Sequence, residues 1–188
     1  FDCSNNLLTG LNISQNSALT ELHCEANQIT SLGVTANTAL SILSCDDNQL
    51  TSLYVNNNMA LTTLNCGFNQ LTSLDLSSNT ALNTLYCDYN QLTSLDVSSN
   101  TNLNTLVCEG NQLMSLDLRN GNNTNMSINS ADFDLTNNPQ LYCIDVDDVA
   151  WADANWTVAN SNIDYWNSFS GDCALEILGC MDPLANNY

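Results

Sequence analysis

Six cysteines, Cys3, Cys24, Cys45, Cys66, Cys87 and Cys108, follow one another at a fixed interval of 21 residues. Other residue types keep the same interval. Asn6, Asn27, Asn48, Asn69, Asn90 and Asn111 stand three places after each cysteine, and a second asparagine column runs Asn16, Asn37, Asn58, Asn79 and Asn100. Apolar columns run between them, among them Leu11, Leu32, Leu53, Leu74, Leu95 and Leu116, and Leu22, Leu43, Leu64, Leu85 and Leu106. Such a chain is a tandem array. One unit is too small to bury its own apolar side chains and gains stability only by stacking on its neighbours, so the array folds as a whole. Within the unit, Leu85-Tyr86-Cys87-Asp88 alternates with period two. That pattern predicts a strand with Leu85 and Cys87 inward and Thr84, Tyr86 and Asp88 outward.

Over residues 1–120 the unit reads L-x-x-L-x-C-x-x-N-x-L-x-x-L-D-L-x-x-N-x-x. It resembles the bacterial 21-residue class of leucine-rich repeat, the IRREKO type, in which cysteine can take the place of the third leucine. The resemblance implies a leucine-rich-repeat solenoid, mainly β, with a parallel β-sheet on the concave face. About eight coils and a C-terminal cap are expected. It also implies a secreted or surface-displayed bacterial protein that serves in cell–cell or cell–surface attachment.

Stacked parallel strands lie about 4.8 Å apart, wider than the separation of about 3.8 Å that a disulfide sets between its Cβ atoms. The six cysteines of the repeat are therefore expected to be buried free thiols acting as small hydrophobes. The asparagines are expected to face inward and satisfy backbone groups that the bends leave unpaired.

After Arg119 the period breaks. Gly121-Asn122-Asn123-Thr124 reads as a loop and Met126-Ser127-Ile128 as one further strand; Leu141-Tyr142-Cys143 repeats the L-x-C signature and predicts a last strand. All three tryptophans, Trp151, Trp156 and Trp166, follow. They are expected to cover the end of the stack, with a short helix near residues 148–155. Cys143 and Cys173 bracket this segment, and a disulfide between them is expected to tie it down. The division predicted is a solenoid over 1–146, a cap over 147–178 and a further module beginning at 179–188. The cap resembles those of secreted bacterial leucine-rich-repeat proteins. The final ten residues resemble a short cysteine-containing repeat of large Gram-negative surface proteins, often exported by the type IX route, and Cys180 is expected to be unpaired. Phe1 falls in mid-repeat, from which a natural start further upstream is expected.

With 20 acidic residues, one arginine and no lysine, the formal net charge is −19. Nucleic acid binding needs cations to displace counterions from phosphates, so it is excluded as a function. Anionic membrane surfaces are disfavoured on the same ground, and membrane insertion is not expected because no apolar run approaches a spanning length.

Catalysis finds no constellation. The single histidine, His23, lies outward on a strand with Glu21 and Glu25 as its neighbours, and no glycine-rich phosphate loop or Cys/His metal spacing is present. The chain is expected not to be an enzyme and to need no cofactor. Binding is better supported. Phe68, Tyr86 and Tyr89 are expected to converge on the outward sheet face beside Asp46, Asp47 and Asp88, an anchor for a protein or cell-surface glycan. A second candidate is calcium, held by the acidic column Asp75, Asp96 and Asp117, which supplies hard oxygen ligands without matching a defined loop. A third is ice, on the column Thr9, Thr30, Thr51, Thr72 and Thr93.

Overall fold

The computed structural model describes residues 1–176; Cys180 and the module expected over 179–188 lie outside the described residues. From the second coil on the chain lays down strands of two or three residues, and these stack in parallel into two sheets. The first sheet runs in order through β1 (Glu21–His23), β2 (Ile42–Ser44), β3 (Thr63–Asn65), β4 (Thr84–Tyr86), β6 (Thr105–Val107) and β8 (Phe133–Asp134). The second joins β5 (Ser94–Asp96), β7 (Ser115–Asp117), β9 (Cys143–Asp145) and β10 (Ser168–Ser170). Register follows the repeat: Leu22 pairs with Leu43, Leu43 with Leu64, Leu64 with Leu85 and Leu85 with Leu106.

The interior between the sheets is filled by the apolar columns, with Leu22, Leu43, Leu64, Leu85 and Leu106 all fully buried. Cys24, Cys45, Cys66, Cys87 and Cys108 are buried free thiols and Cys3, in the first coil, is half-buried. Burial pushes the Cys24 thiol up to about 12 and moves Cys45, Cys66, Cys87 and Cys108 in the same direction, because a thiolate has no solvation there.

From the second coil on, both asparagine columns turn inward. Asn69 shows the first pattern: its Nδ2 donates to the carbonyls of Cys45, Cys66 and Gly67 at 3.0–3.2 Å, and its Oδ1 accepts from the Leu50 amide at 2.8 Å. The side chain thus stitches one coil to the previous one. In the second column Asn58 Nδ2 donates to the carbonyls of Val34 and Asn37.

Beyond β7 the chain departs from two expectations. Met126-Ser127-Ile128 forms no strand. Residues Asn123–Asn125 make a 3-10 turn instead, and the next rung of the first sheet is β8, with Phe133 opposite Leu106 and Asp134 opposite Val107. The excursion is long enough for Met126 to drop its side chain into the core. Then Cys143 lies in β9, in the second sheet opposite β7, and not in the cysteine column of the first. Its neighbours supply the reason: Asp145 pairs with Asp117, so Ile144-Asp145-Val146 stands where Leu116-Asp117-Leu118 stood one coil earlier. Nor is β9 the last strand, since β10 pairs with it in parallel.

Helix α1 spans Val149–Asn155, and the Asp148 side chain caps it by accepting from the Trp151 amide. It leads into Trp156, fully buried and stacked on Phe133 with ring centroids 4.1 Å apart. Trp151 meets Trp156 edge-on and Phe169 closes the other side. Trp166 is held by its indole N–H on the Asn138 carbonyl. Cys143 and Cys173 are joined in a disulfide with Cα atoms 5.8 Å apart. Arg119 reinforces the same region, bonded to Asp117 and donating to the Gly171 carbonyl at 3.1 Å.

Candidate binding face

Two residues past each cysteine the backbone leaves the strand through the left-handed region. Asn5, Ala26, Asp47, Phe68 and Tyr89 have φ between 48° and 54°, and Gly110 and Asn137 continue the column at 67° and 58°. That conformation costs a residue with a Cβ roughly 1–2 kcal/mol. It is imposed by the array, because the amide at this position donates to the next coil, as Phe68 does to Asp88 and Tyr89 to Glu109. Asparagine and glycine fit such a site; two large aromatics do not fit it for local reasons.

Phe68 and Tyr89 stack on one another, centroids 4.6 Å apart and planes 25° from parallel. Both remain open to solvent, at 52% and 44% exposure. The Tyr89 ring lies over Gly110, where a Cβ would stand 2.8 Å from Cδ1. The Tyr89 hydroxyl donates to Glu109 Oε1 at 2.8 Å, which raises the phenol pKa, and the same oxygen accepts from Asn137 Nδ2. These contacts hold the stack at its lower end.

Tyr86 is not part of this stack. It lies half-buried in β4 and makes no ring contact with Phe68 or Tyr89 among the described residues; burial, and then Asp132 and Asp88, raise its phenol. At β6 the outward residues Thr105 and Val107 are buried as well, so the face there is covered.

Carboxylates flank the rings. The Asp88 side chain folds over Gly67, its Oδ1 only 2.5 Å from where a Cβ would be. A glycine at 67 therefore leaves the notch that Asp88 enters. Burial raises both Asp88 and Asp46, and each carries a further upward push from neighbouring acids: Glu109 and Asp134 on Asp88, Glu25 and Asp88 on Asp46. Asp47 is exposed, in the same column as Phe68. Glu25 Oε2 is buried without a partner among the described residues.

The flank column is differently employed. Asp75 accepts from the amide and hydroxyl of Ser77 and from Asn56, and Asp96 accepts from the Ser98 amide. Asp117 is bonded to Arg119, which lowers its pKa. Each thus braces its own turn. Among the described residues no group of three or more His, Cys, Asp or Glu side chains is placed to hold a metal ion. His23 Nε2 stands 4.0 Å from the Glu21 carboxylate at the surface.

Phe68 and Tyr89 are two of the three aromatics expected to converge; that they stack without Tyr86 follows from the turn they share. An aromatic two places past the cysteine signals an exposed ring once that place is known to be a left-handed turn, and period-two alternation alone does not say so.

Coiled parallel strands, a leucine core and an asparagine ladder define the class, a leucine-rich-repeat solenoid. No family model and no curated protein matches the sequence. Solved structures do. The chain is similar to the functional domain of InlJ from Listeria monocytogenes, described as including a cysteine ladder, at 33% identity over 77% of this chain and 30% of that one, with a TM-score of 0.59. It is also similar to an LRR protein of Leptospira interrogans, at 25% identity over 61% and 31% of the two chains and a TM-score of 0.55. A third neighbour is the plant peptide hormone receptor RGFR1 in complex with RGF2, at 26% identity over 78% and 27%, TM-score 0.59. The chain spans less than a third of the length of each. No helix among the described residues is long and apolar enough to cross a membrane.

Proposed function

We propose that the chain is a non-enzymatic interaction module of a secreted or surface-displayed bacterial adhesin, and that it binds a protein partner on the outward face of the six-stranded sheet. The observation that carries this reading is the Phe68–Tyr89 stack. Two large rings are held open to solvent at the turns that follow β3 and β4, at backbone positions that would be less strained as glycine. Residues kept in sparsely populated conformations gather where recognition needs them, and rigid exposed aromatics are the usual anchors of protein interfaces. The neighbours agree in kind: one is a peptide hormone receptor in complex with RGF2, and another is the functional domain of a Listeria protein.

The test is binding of the chain to a panel of immobilised extracellular proteins and glycans, alongside Phe68→Gly/Tyr89→Gly and Tyr86→Ala variants matched for thermal unfolding. The double variant should lose at least roughly tenfold in affinity for its protein ligand, and Tyr86→Ala should lose less. Protein binding that survives the double variant undiminished would overturn the site. Binding confined to glycans would overturn the protein partner.

A further inference from the structure

From β2 to β4 the outward sheet face carries acid without base. The chain's one arginine is on the second sheet, bonded to Asp117, and its one histidine lies at β1, beside Glu21. Asp46 and Asp88 are half-buried, have no cation within ion-pair distance, and accept no hydrogen bond from another residue among the described residues, so the face bears desolvated negative charge with no counter-charge of its own. Charge taken out of water in this way is costly unless it is paired.

The rings beside these acids are not equivalent. Tyr89 is closed on both sides, by Phe68 and by Gly110. Among the described residues Phe68 has a ring against one side only, and it is 52% exposed. Because the ring planes stack along the direction in which coils follow one another, its second face looks toward the preceding coil. There Asp47 occupies the matching position, with Asp46 just before it. An open aromatic face and carboxylates thus border one gap.

We propose that this gap receives an arginine side chain from a basic protein segment, its guanidinium stacked on the open face of Phe68 and forked onto the carboxylates of Asp46, Asp47 and Asp88. The occupant follows from complementarity. A guanidinium is planar, weakly hydrated and stacks on aromatic rings, and its five donors match carboxylates in pairs. An ammonium offers charge without a plane. The chain's own charge of −19 draws a cationic partner to the face from a distance. This inference rests on the binding-face reading and gives the partner its chemistry.

A fluorescent peptide of alternating arginine and glycine tests it, against the same peptide with lysine, by anisotropy with the intact chain. The arginine peptide should bind roughly tenfold tighter than the lysine peptide, as expected for stacking added to charge. Phe68→Gly should erase that preference, and Asp46→Asn with Asp88→Asn should weaken both peptides. Asp75→Asn with Asp96→Asn, which removes equal charge from the flank column, should leave the preference intact. Equal binding of the two peptides, or equal losses from the two pairs of aspartate substitutions, would reduce the effect to bulk charge and overturn the slot. The same outcome with Phe68→Gly/Tyr89→Gly still abolishing capture of a protein from the immobilised panel would leave the face standing and remove only its cationic occupant.

Discussion

At the scale of single residues, the array is held by side chains that do backbone work. The two asparagine columns look alike in sequence and differ in the structure. Asn69 satisfies three carbonyls and one amide, whereas Asn58 satisfies two carbonyls and leaves its own Oδ1 buried without a partner among the described residues. Orphaned buried backbone groups cost about 1–3 kcal/mol each and add imperfectly. Asn69→Ala leaves the Leu50 amide without its partner, whereas the Val34 and Asn37 carbonyls beneath Asn58 still accept from the Asn37 and Leu40 amides, so Asn69→Ala should destabilise the chain by about 3 kcal/mol and Asn58→Ala by about 1 kcal/mol in urea unfolding. Equal costs, or the reverse order, would mean that the first column is not the stitch between coils. The cysteine column asks less of its residues. Its thiols are apolar filler, and Cys24 lends a weak bond from Sγ to the Ser44 carbonyl at 3.4 Å.

At the scale of elements, the regular coils were legible and the stretch beyond β7 was legible only in part. Columns 21 residues apart predict a register, and Leu43 opposite Leu64 is that register. The short helix near 148–155 was readable because Asp148 is an N-cap and the apolar residues follow it at once. Met126-Ser127-Ile128 misled because three residues of strand-like pattern cannot report whether the loop before them is long enough to close a coil. Phe133-Asp134-Leu135 was the better rung: Phe133 fills the leucine place, and the Asp134 carbonyl accepts from the Cys108 amide. The L-x-C at 141–143 misled for another reason. A three-residue signature cannot show which of two sheets a strand joins, and Asp145 opposite Asp117 settles it. These irregular elements converge on Trp156, whose indole N–H donates to the Ser127 carbonyl while its ring covers Phe133. Emptying that place should cost about 4 kcal/mol. In a stack coupled only to nearest neighbours the damage should stay local. Hydrogen exchange of Trp156→Ala should show β8 amides losing protection while β2 and β3 keep most of theirs. Uniform loss across all coils would show that the molecule unfolds as one unit from this end.

At the scale of the whole molecule, charge sets the balance of stability with pH. Asp46, Asp88, Asp134 and Asp164 have their pKa values raised, in each case first by burial. Between the ordinary carboxylate range and those raised values the folded chain holds more protons than the unfolded one. Stability must then grow as pH falls from neutrality through that window. Relief of repulsion among 20 acids and one arginine acts with the same sign. Opposed to both are Asp2 and Asp75, lowered by hydrogen bonds from Ser4 and Ser77, and Asp117, lowered by Arg119. Their contribution is present above the ordinary carboxylate range and is lost only as pH falls through their lower values. The melting temperature should accordingly rise on acidification from neutral pH, pass through a maximum near the ordinary carboxylate range, and fall below it. Salt near physiological strength, which screens exposed charges over about 8 Å, should raise the melting temperature at neutral pH and flatten the climb without abolishing it, since half-buried Asp46 and Asp88 are screened least. A melting temperature that falls steadily from neutral pH downward, or a climb that salt removes completely, would mean that the carboxylates on the sheet face are solvated, and the case for a cation seated among them would fall too.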